Sequence, residues 1–222
     1  MTTAAAYDEG VIKFEVAHTR EALDARRYGD LAAELSGWRR VMAMTGVVGQ
    51  ENARYGGAGF GNVSARVGAP SSPLGRRAML VSCTQTGGQE EVRLDDFCIV
   101  ERYDIAQNRV DSRGLCQPSS EAMTHGAIYD LGPHIRAVLH GHAPLLWRRA
   151  RELRIPCTAP GVRYGTQAMA REMARLYRTS ALPEQQILAM TGHEDGVIAF
   201  GRSVDEAGQV LVTYLARALR PG

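Results

Sequence analysis

Residues 118–142 of the chain read PSSEAMTHGAIYDLGPHIRAVLHGH. This stretch begins with two serines and a glutamate, continues as a predicted helix and ends in an apolar strand. Because the side chains of a strand alternate between its two faces, His140 and His142 are predicted to point the same way. Glu121 precedes them by one helix. Two imidazoles on one face, with a carboxylate nearby, can form a metal site that has an acid/base group beside it.

The rest of the chain reads as strands followed by alternating helices and strands. Predicted strands cover residues 62–67, 78–83, 96–102, 109–111, 137–140, 187–190 and 197–200, and predicted helices cover residues 19–48, 119–129, 143–154, 166–177 and 203–217. This order predicts an α/β fold in which helices cover a mixed, largely antiparallel sheet. Residues 1–18 are predicted to form an N-terminal arm, and residues 19–222 a single domain.

The bulk composition is that of a soluble globular domain. The chain has 222 residues, of which 45% are hydrophobic, and its mean hydropathy is −0.22. A net charge of +2 is too small to predict binding to nucleic acid or to a membrane surface. No apolar run approaches the roughly 18 residues that a membrane span needs. Neither nucleic acid nor membrane is therefore an expected partner.

The cysteines do not form a recognisable metal or redox motif. They stand at positions 83, 98, 116 and 157, with no Cys-x-x-Cys spacing, so a zinc ribbon or a thioredoxin-like site is not supported. The N-terminal residues do not read as a signal peptide. Reduced thiols in a cytoplasmic protein are therefore expected.

His193 is the candidate for a third ligand beside His140 and His142. It lies in MTGHEDG, residues 190–196, between two apolar strands. Three nitrogen ligands with one open position are a common arrangement of catalytic zinc. The alternative is that these histidines only satisfy ordinary hydrogen bonds. Glu194 and Asp195 are either additional ligands or part of a longer turn.

Several short polar stretches could bind an anion such as phosphate. Ser119 and Ser120 stand at a predicted helix N-terminus, where backbone N–H groups and the helix dipole favour negative charge. Asn62 follows a glycine-rich stretch, and the loop after Cys83 contains Thr86 and Gly87. Read alone, each stretch is equally well explained as a helix cap or a turn. Neither a Walker A motif nor a dinucleotide fingerprint is present.

The chain contains a single lysine, Lys13, and it falls in the predicted arm. Carbon–carbon lyase chemistry needs an electron sink, which is either a lysine imine or a metal. An imine enzyme requires a desolvated and positioned lysine, and the chain offers little prospect of one. If the chemistry passes through an enolate, a metal is expected to stabilise it.

Taken together, these stretches resemble the class II aldolase/adducin family, and they occur in that family's order from about residue 31 onward. The matching stretches are GFGNVSAR at 59–66, SCTQTGG at 82–88, PSSEAMTHGAIY at 118–129, AVLHGHAP at 137–144 and TGHEDGVIAFGRSVDEA at 191–207. The resemblance implies a three-layer α/β/α fold with a central, mainly antiparallel sheet. It also implies a divalent metal, usually zinc with manganese or iron as alternatives, and a homotetramer.

Carried over position by position, the resemblance implies a role for each matching residue. His140, His142 and His193 would hold the metal, and Glu121 would be the acid/base. Tyr164 is the candidate for the tyrosine that the family often contributes across a subunit interface. Phosphate would be held by Asn62, Thr86, Gly87, Ser119 and Ser120.

The activity implied is that of an aldolase-type lyase, which cleaves a small ketose phosphate through a metal-stabilised enediolate. The family to which the chain is similar also includes a ribulose-phosphate epimerase, a methylthioribulose-phosphate dehydratase and decarboxylases, and these remain alternatives on the same scaffold. A third possibility, from another class, is a non-catalytic adducin-like binding module.

Overall fold

The fold is known from a computed structural model that describes residues 10–221. The strands of this part are β1 Glu15–Arg20, β2 Gly49–Gln50, β3 Gly59–Phe60, β4 Asn62–Arg66, β5 Met79–Ser82, β6 Phe97–Asp104, β7 Arg109–Gly114, β8 Ala137–His142, β9 Ile187–Ala189 and β10 Gly196–Gly201. Its α-helices are α1 Ala25–Met44, α2 Ala122–Tyr129, α3 Pro144–Arg148, α4 Gln167–Thr179, α5 Leu182–Gln185 and α6 Val204–Ala218.

Eight of the described strands form one central sheet in the order β1-β7-β6-β5-β4-β8-β10-β9. Only the β1–β7 pair at one edge is parallel, and the other neighbours in this sheet are antiparallel. The strand β8, which carries the histidine pair, lies inside the sheet between β4 and β10. The predicted mixed, mainly antiparallel sheet is confirmed.

Helices cover both faces of the sheet and give two separate hydrophobic cores. Helices α1, α3 and α6 pack on one face, and α2, α4 and α5 pack on the other. Strand β8 contributes to both cores by alternation, because Leu139 belongs to the first core and Val138 to the second. The three-layer α/β/α architecture is therefore confirmed, and the face that Val138 shares with the histidine pair is the one covered by α2 and α4.

The N-terminal part of the chain differs from the sequence-based expectation. Residues 15–18, which fall in the predicted arm, belong to β1 and pair with β7. The predicted helix over 19–48 is shorter at both ends, and α1 begins after the N-cap Asp24, whose side chain accepts a hydrogen bond from the Arg26 amide. An unpaired sheet edge binds extended chain readily, which explains why a polar segment becomes a strand here. Residues 1–9 of the arm lie outside the described part.

Helix α2 begins later than predicted, and this matters for the site. The structure places Ser119 and Ser120 before the helix, with Glu121 as its N-cap residue. Ser119 is held by a backbone hydrogen bond from its amide to the Ser82 carbonyl, 3.2 Å long, at the end of β5. The Ser-Ser-Glu turn is thereby fixed to the end of β5, and the Ser119 carbonyl also accepts from the Ala122 amide at the start of α2, at 3.0 Å.

The cysteine prediction is wrong for one pair, because Cys83 and Cys116 form a disulfide. Cys98 and Cys157 are free thiols. The bond joins the end of β5 to the loop before Ser119, and the Thr84 amide also donates to the Gln117 carbonyl there, at 3.0 Å. Sequence spacing could not identify this pair, because the half-cystines are 33 residues apart and meet only through the sheet.

Replacing Cys116 with serine is expected to lower the free energy of unfolding by about 3–4 kcal/mol, the chain-entropy value for a loop of this length. Urea unfolding without reductant measures the change. Cys157→Ser is the matched control, because that thiol is free and half-buried. Reductant should reproduce the loss in the unsubstituted chain. Equal stability of the Cys116→Ser variant and the unsubstituted chain would show that the bond does not form.

None of the helices in residues 10–221 combines the length and the apolar character required to cross a membrane.

Candidate metal centre and anion pocket

The histidine pair is positioned by the geometry of β8. His140 and His142 are fully buried, and they share the face of the strand that Val138 occupies. His140 Nδ1 lies 3.1 Å from the Val197 carbonyl oxygen of β10. As the donor of that bond, Nδ1 carries the proton, and Nε2 presents its lone pair to the site.

Gly141, between the two histidines, allows close packing behind them. A Cβ atom at this position would lie 2.3 Å from Val47 Cγ1 and 2.6 Å from the Val47 carbonyl oxygen. The chain after α1 can therefore press against the back of β8, and the His142 amide donates to the Val47 carbonyl at 2.8 Å. The opposite face of the strand is left to the imidazoles.

His193 reaches the pair from the turn between β9 and β10. Its amide donates to the Met190 carbonyl, and its own carbonyl accepts from the Gly196 amide, each at 3.0 Å. The His193 ring centroid lies 4.7 Å from that of His142 and 5.3 Å from that of His140. One nitrogen of each ring lies within 4.8 Å of the others. The structure therefore brings together the three residues that the sequence names as metal ligands.

The protonation state of these imidazoles suits metal binding. Burial lowers the pKa of His140 to about 4. Burial is also the largest cause of the lowered pKa values of His142 and His193. Repulsion between protonated imidazoles of the cluster lowers these pKa values further, as do Arg54 for His142 and Lys13 for His193. All three rings are therefore neutral at pH 7, with lone pairs available. Three convergent neutral nitrogens are a donor set that fits zinc or a similar divalent cation.

Glu121 lies next to the three rings. Its Oε1 atom is 3.4 Å from His193 Nε2 and 3.7 Å from His140 Nε2, and the residue is 1% exposed. The carboxylate thus points at the same space as the imidazole nitrogens. At this distance it can take up or release a proton at a substrate held beside a cation, or it can act as a fourth ligand.

All five residues predicted to bind phosphate line one small polar pocket. They are Asn62, Thr86, Gly87, Ser119 and Ser120. Asn62 stands directly opposite His140 in the β4–β8 register, so the pocket adjoins the histidine cluster. The Asn62 Oδ1 atom is buried without a hydrogen-bond partner in the described part of the chain. A buried polar atom of this kind is expected to meet a ligand or water.

Arg39 holds the loop on one side of this pocket, and the sequence analysis missed it. This arginine of α1 is 1% exposed and donates to the carbonyl oxygens of Thr86, Gly87 at 3.0 Å and Gln89 at 2.9 Å. Its signal was present in the sequence, since Arg39 falls four residues after the buried Leu35 on the apolar stripe of α1. A charged residue on a buried stripe indicates a specific polar partner.

Tyr55 and Asp195 form a second feature that the sequence did not reveal. The Tyr55 ring lies 4.5 Å from the His142 ring, and its hydroxyl donates to Asp195 Oδ2 at 2.7 Å. Asp195 is therefore engaged with a tyrosine and does not belong to the three-histidine cluster. Glu194 is exposed on the outer side of the turn. Of the two acidic residues in this turn, Asp195 therefore supports the His142 ring through Tyr55.

Tyr164 lies against His193 of the same chain, with their ring centroids 4.6 Å apart. Its hydroxyl donates to the Val11 carbonyl and accepts from the Val11 amide, each at 3.2 Å. Lys13 Nζ lies 3.0 Å from the centroid of the Tyr164 ring and is buried. The expectation that the chain lacks a desolvated, positioned lysine is therefore wrong. Its contact with the Tyr164 ring joins residues that are distant in sequence, and no local pattern encodes it.

Comparison with known proteins gives a consistent family match. The family model described as Class II Aldolase and Adducin N-terminal domain matches residues 50–219. None of the curated proteins matches the chain. Among solved structures, YgbL from Klebsiella pneumoniae, described as a putative aldolase/epimerase/decarboxylase, has a TM-score of 0.62 at 18% identity, covering 85% of this chain and 86% of that one.

Two further solved structures share the fold. L-Fuculose-1-phosphate aldolase from Thermus thermophilus has a TM-score of 0.57 at 18% identity and covers 88% of this chain and 92% of that one. A sugar-phosphate aldolase from Thermotoga maritima has a TM-score of 0.60 at 15% identity and covers 85% of this chain and 92% of that one.

Proposed function

The chain belongs to the class II aldolase and adducin family, and on this basis we propose that it is a metal-dependent lyase that cleaves a small ketose phosphate. One observation carries the proposal. Three neutral imidazoles and one carboxylate converge beside a polar pocket, although they come from separate elements of the chain. The similarity in fold to two proteins described as sugar-phosphate aldolases supports the same class of substrate.

His140, His142 and His193 are the proposed ligands of the cation. We propose zinc, with manganese or iron as alternatives, because three neutral imidazoles suit each of these metals. When bound, such a cation polarises the carbonyl oxygen of the substrate and stabilises the negative charge that develops there. The hydrogen bond between His140 Nδ1 and the Val197 carbonyl keeps the Nε2 lone pair aimed at the site.

The polar pocket is proposed to hold the phosphate group. Ser119 and Ser120 precede α2, and Asn62 supplies an amide from the adjoining strand. Arg39 donates to the carbonyl oxygens of Thr86 and Gly87 and thereby fixes the loop that contains them. The other polar groups of this loop are then free to face the ligand. Holding the phosphate here would fix the reacting carbons beside the histidine cluster, which lowers the entropic part of the barrier.

Glu121 is proposed to move the proton. Its carboxylate lies beside two of the proposed ligand nitrogens and is screened from solvent, so a substrate atom held at the cluster is within its reach. Tyr164 is proposed as a second catalytic residue. Its ring packs on His193 and its hydroxyl binds the Val11 backbone. These contacts support a contribution in which Tyr164 positions His193.

A panel of ketose phosphates, incubated with protein loaded with zinc, tests the activity. We expect release of triose phosphate, measured by a coupled reductase assay, and much slower turnover of the same ketoses without phosphate. Protein stripped of metal by a chelator is the control, and it should regain activity when zinc returns. Loss of water or carbon dioxide, or epimer formation, without release of triose phosphate would contradict the aldolase proposal. It would instead indicate a dehydratase, a decarboxylase or an epimerase.

A panel without any turnover, on a chain that regains no metal, would instead favour the non-catalytic binding module. The homotetramer implied by the resemblance stays a prediction, because the structure describes one chain. The cytoplasmic location also stays a prediction.

A further inference from the structure

Tyr55 packs directly on His142, one of the three proposed metal ligands. The two rings meet edge to face, with centroids 4.5 Å apart and planes at 64°. Phe60 contacts both rings, at centroid distances of 5.2 Å from Tyr55 and 5.4 Å from His142. All three residues are buried. Because buried side chains are closely packed, these neighbours leave the His142 ring little room to adopt another orientation.

The Tyr55 hydroxyl is itself held in place by two hydrogen bonds. It donates to Asp195 Oδ2 at 2.7 Å and accepts from Arg54 Nη2 at 2.9 Å. A phenol can donate and accept at the same time, so the two bonds are compatible. Hydrogen bonds to ionised groups are stronger than those between neutral groups. The ring that packs on His142 is therefore fixed at its far end as well.

Asp195 lies in the turn that also carries His193. Its carbonyl oxygen accepts from the amide of Ala143, the residue after His142, at 2.9 Å. The backbone of Asp195 is thus bonded to the segment that holds His142, and its side chain is linked to the His142 ring through Tyr55. One turn therefore presents the third proposed ligand and also restrains the second.

Both residues of the Tyr55–Asp195 hydrogen bond have a left-handed backbone conformation, with φ of 49° at Tyr55 and 61° at Asp195. Aspartate tolerates this region, whereas a bulky tyrosine adopts it only at a cost in energy. Such residues persist where the surrounding contacts over-determine their position, and they cluster at functional sites. The strain at Tyr55 falls on the residue that packs on a proposed metal ligand.

We propose that Tyr55 and Asp195, here called the clamp, are positioning residues that fix the His142 ring relative to His193 and thereby raise the affinity of the three-histidine cluster for its cation. This inference rests on the proposed function and adds a determinant of metal affinity to it. Neither residue is a proposed ligand, and the clamp acts through His142. A ring that is already oriented loses less conformational freedom when the cation binds, so more of the binding energy is retained.

Zinc affinity, measured by competition with a chromophoric chelator, tests the proposal. Tyr55→Phe keeps the ring and removes the hydroxyl, and it is expected to weaken zinc binding about 10-fold, the lower end of the usual effect of groups that orient metal ligands. Asp195→Asn should lose less affinity, because an amide oxygen can accept the phenol proton and asparagine tolerates the left-handed region. The double variant should bind zinc as weakly as Tyr55→Phe alone, since both lack the same hydrogen bond.

Tyr177→Phe is the matched control, because the Tyr177 hydroxyl pairs with exposed His134, away from the three-histidine cluster. This variant should keep the zinc affinity of the unsubstituted chain. Cobalt in place of zinc adds a second readout, because its visible absorption depends on the geometry of the ligands. The spectrum should change in Tyr55→Phe and stay the same in Tyr177→Phe. Circular dichroism establishes that each variant is folded.

Unchanged zinc affinity in Tyr55→Phe would overturn the inference and leave the proposed function intact. The same holds for losses that multiply in the double variant, since the two residues would then act independently, and for an unaltered cobalt spectrum in Tyr55→Phe. Failure of the unsubstituted protein to bind zinc, cobalt, manganese or iron would overturn both the inference and the proposed function.

Discussion

Glu121→Gln is expected to lower turnover by roughly 10²–10⁴-fold, the usual contribution of a positioned acid/base group, while metal content stays the same. The glutamine side chain has nearly the same size, so packing around the N-cap of α2 is preserved. It cannot accept and return a proton, however, at the position 3.4 Å from His193 Nε2 that the carboxylate occupies. Turnover of the best ketose phosphate, together with elemental analysis, measures both quantities.

Glu194→Gln is the matched control for this change. Glu194 is exposed in the turn that carries His193, so the substitution makes the same chemical change without touching the cluster. Its turnover should equal that of the unsubstituted chain. Normal turnover in Glu121→Gln would remove this residue from the acid/base role, whereas a loss of metal would identify its carboxylate as a fourth ligand.

His140→Asn is expected to abolish stoichiometric zinc binding and to lower turnover by roughly 10²-fold or more, because Lewis-acid polarisation is worth several kcal/mol and each 1.36 kcal/mol is a factor of ten. The amide is smaller than the ring and loses the bond from Nδ1 to the Val197 carbonyl. Zinc content after dialysis and turnover with added zinc are the measurements. Circular dichroism and the melting temperature establish that the variant is folded.

His134→Asn serves as the control because His134 is exposed and its Nε2 pairs with the Tyr177 hydroxyl at 3.3 Å, away from the three-histidine cluster. This variant should keep its zinc and its activity. Full zinc occupancy in folded His140→Asn would show that the three-histidine cluster is not the metal site. Normal zinc with lost turnover would place His140 in catalysis rather than in ligation.

Several features of the site followed from short stretches of sequence. A period of two residues put His140 and His142 on one face of a strand, and the structure adds that Gly141 lets the chain at Val47 pack behind them. Local polar stretches identified the pocket residues one by one, although each stretch had an equally good explanation as a cap or a turn. Their meeting in one pocket depends on the pairing of β4 with β8 and on the anchoring of Ser119 to β5.

Other features had no local signal. The Cys83–Cys116 disulfide and the Tyr55–Asp195 hydrogen bond each join residues that are far apart in the chain. The contact between Lys13 and the Tyr164 ring does so as well. Arg39 is intermediate, since its place on the stripe of α1 indicated burial but gave no partner. Composition and spacing predicted reduced thiols and no desolvated lysine, and both expectations were wrong. Composition and spacing carry no information on which distant residue a side chain contacts in the folded chain.

The sequence by itself determined the type and order of most of the elements, the family, and the shared direction of the histidine pair. These properties depend on backbone geometry within a few residues, which apolar periodicity encodes directly. The tertiary structure alone decided that His193 and Glu121 approach that pair and that Lys13 lies beside them. Such distances are set by the strand order β4-β8-β10 and by helices packed on one face of the sheet, and therefore by contacts between residues remote in the chain.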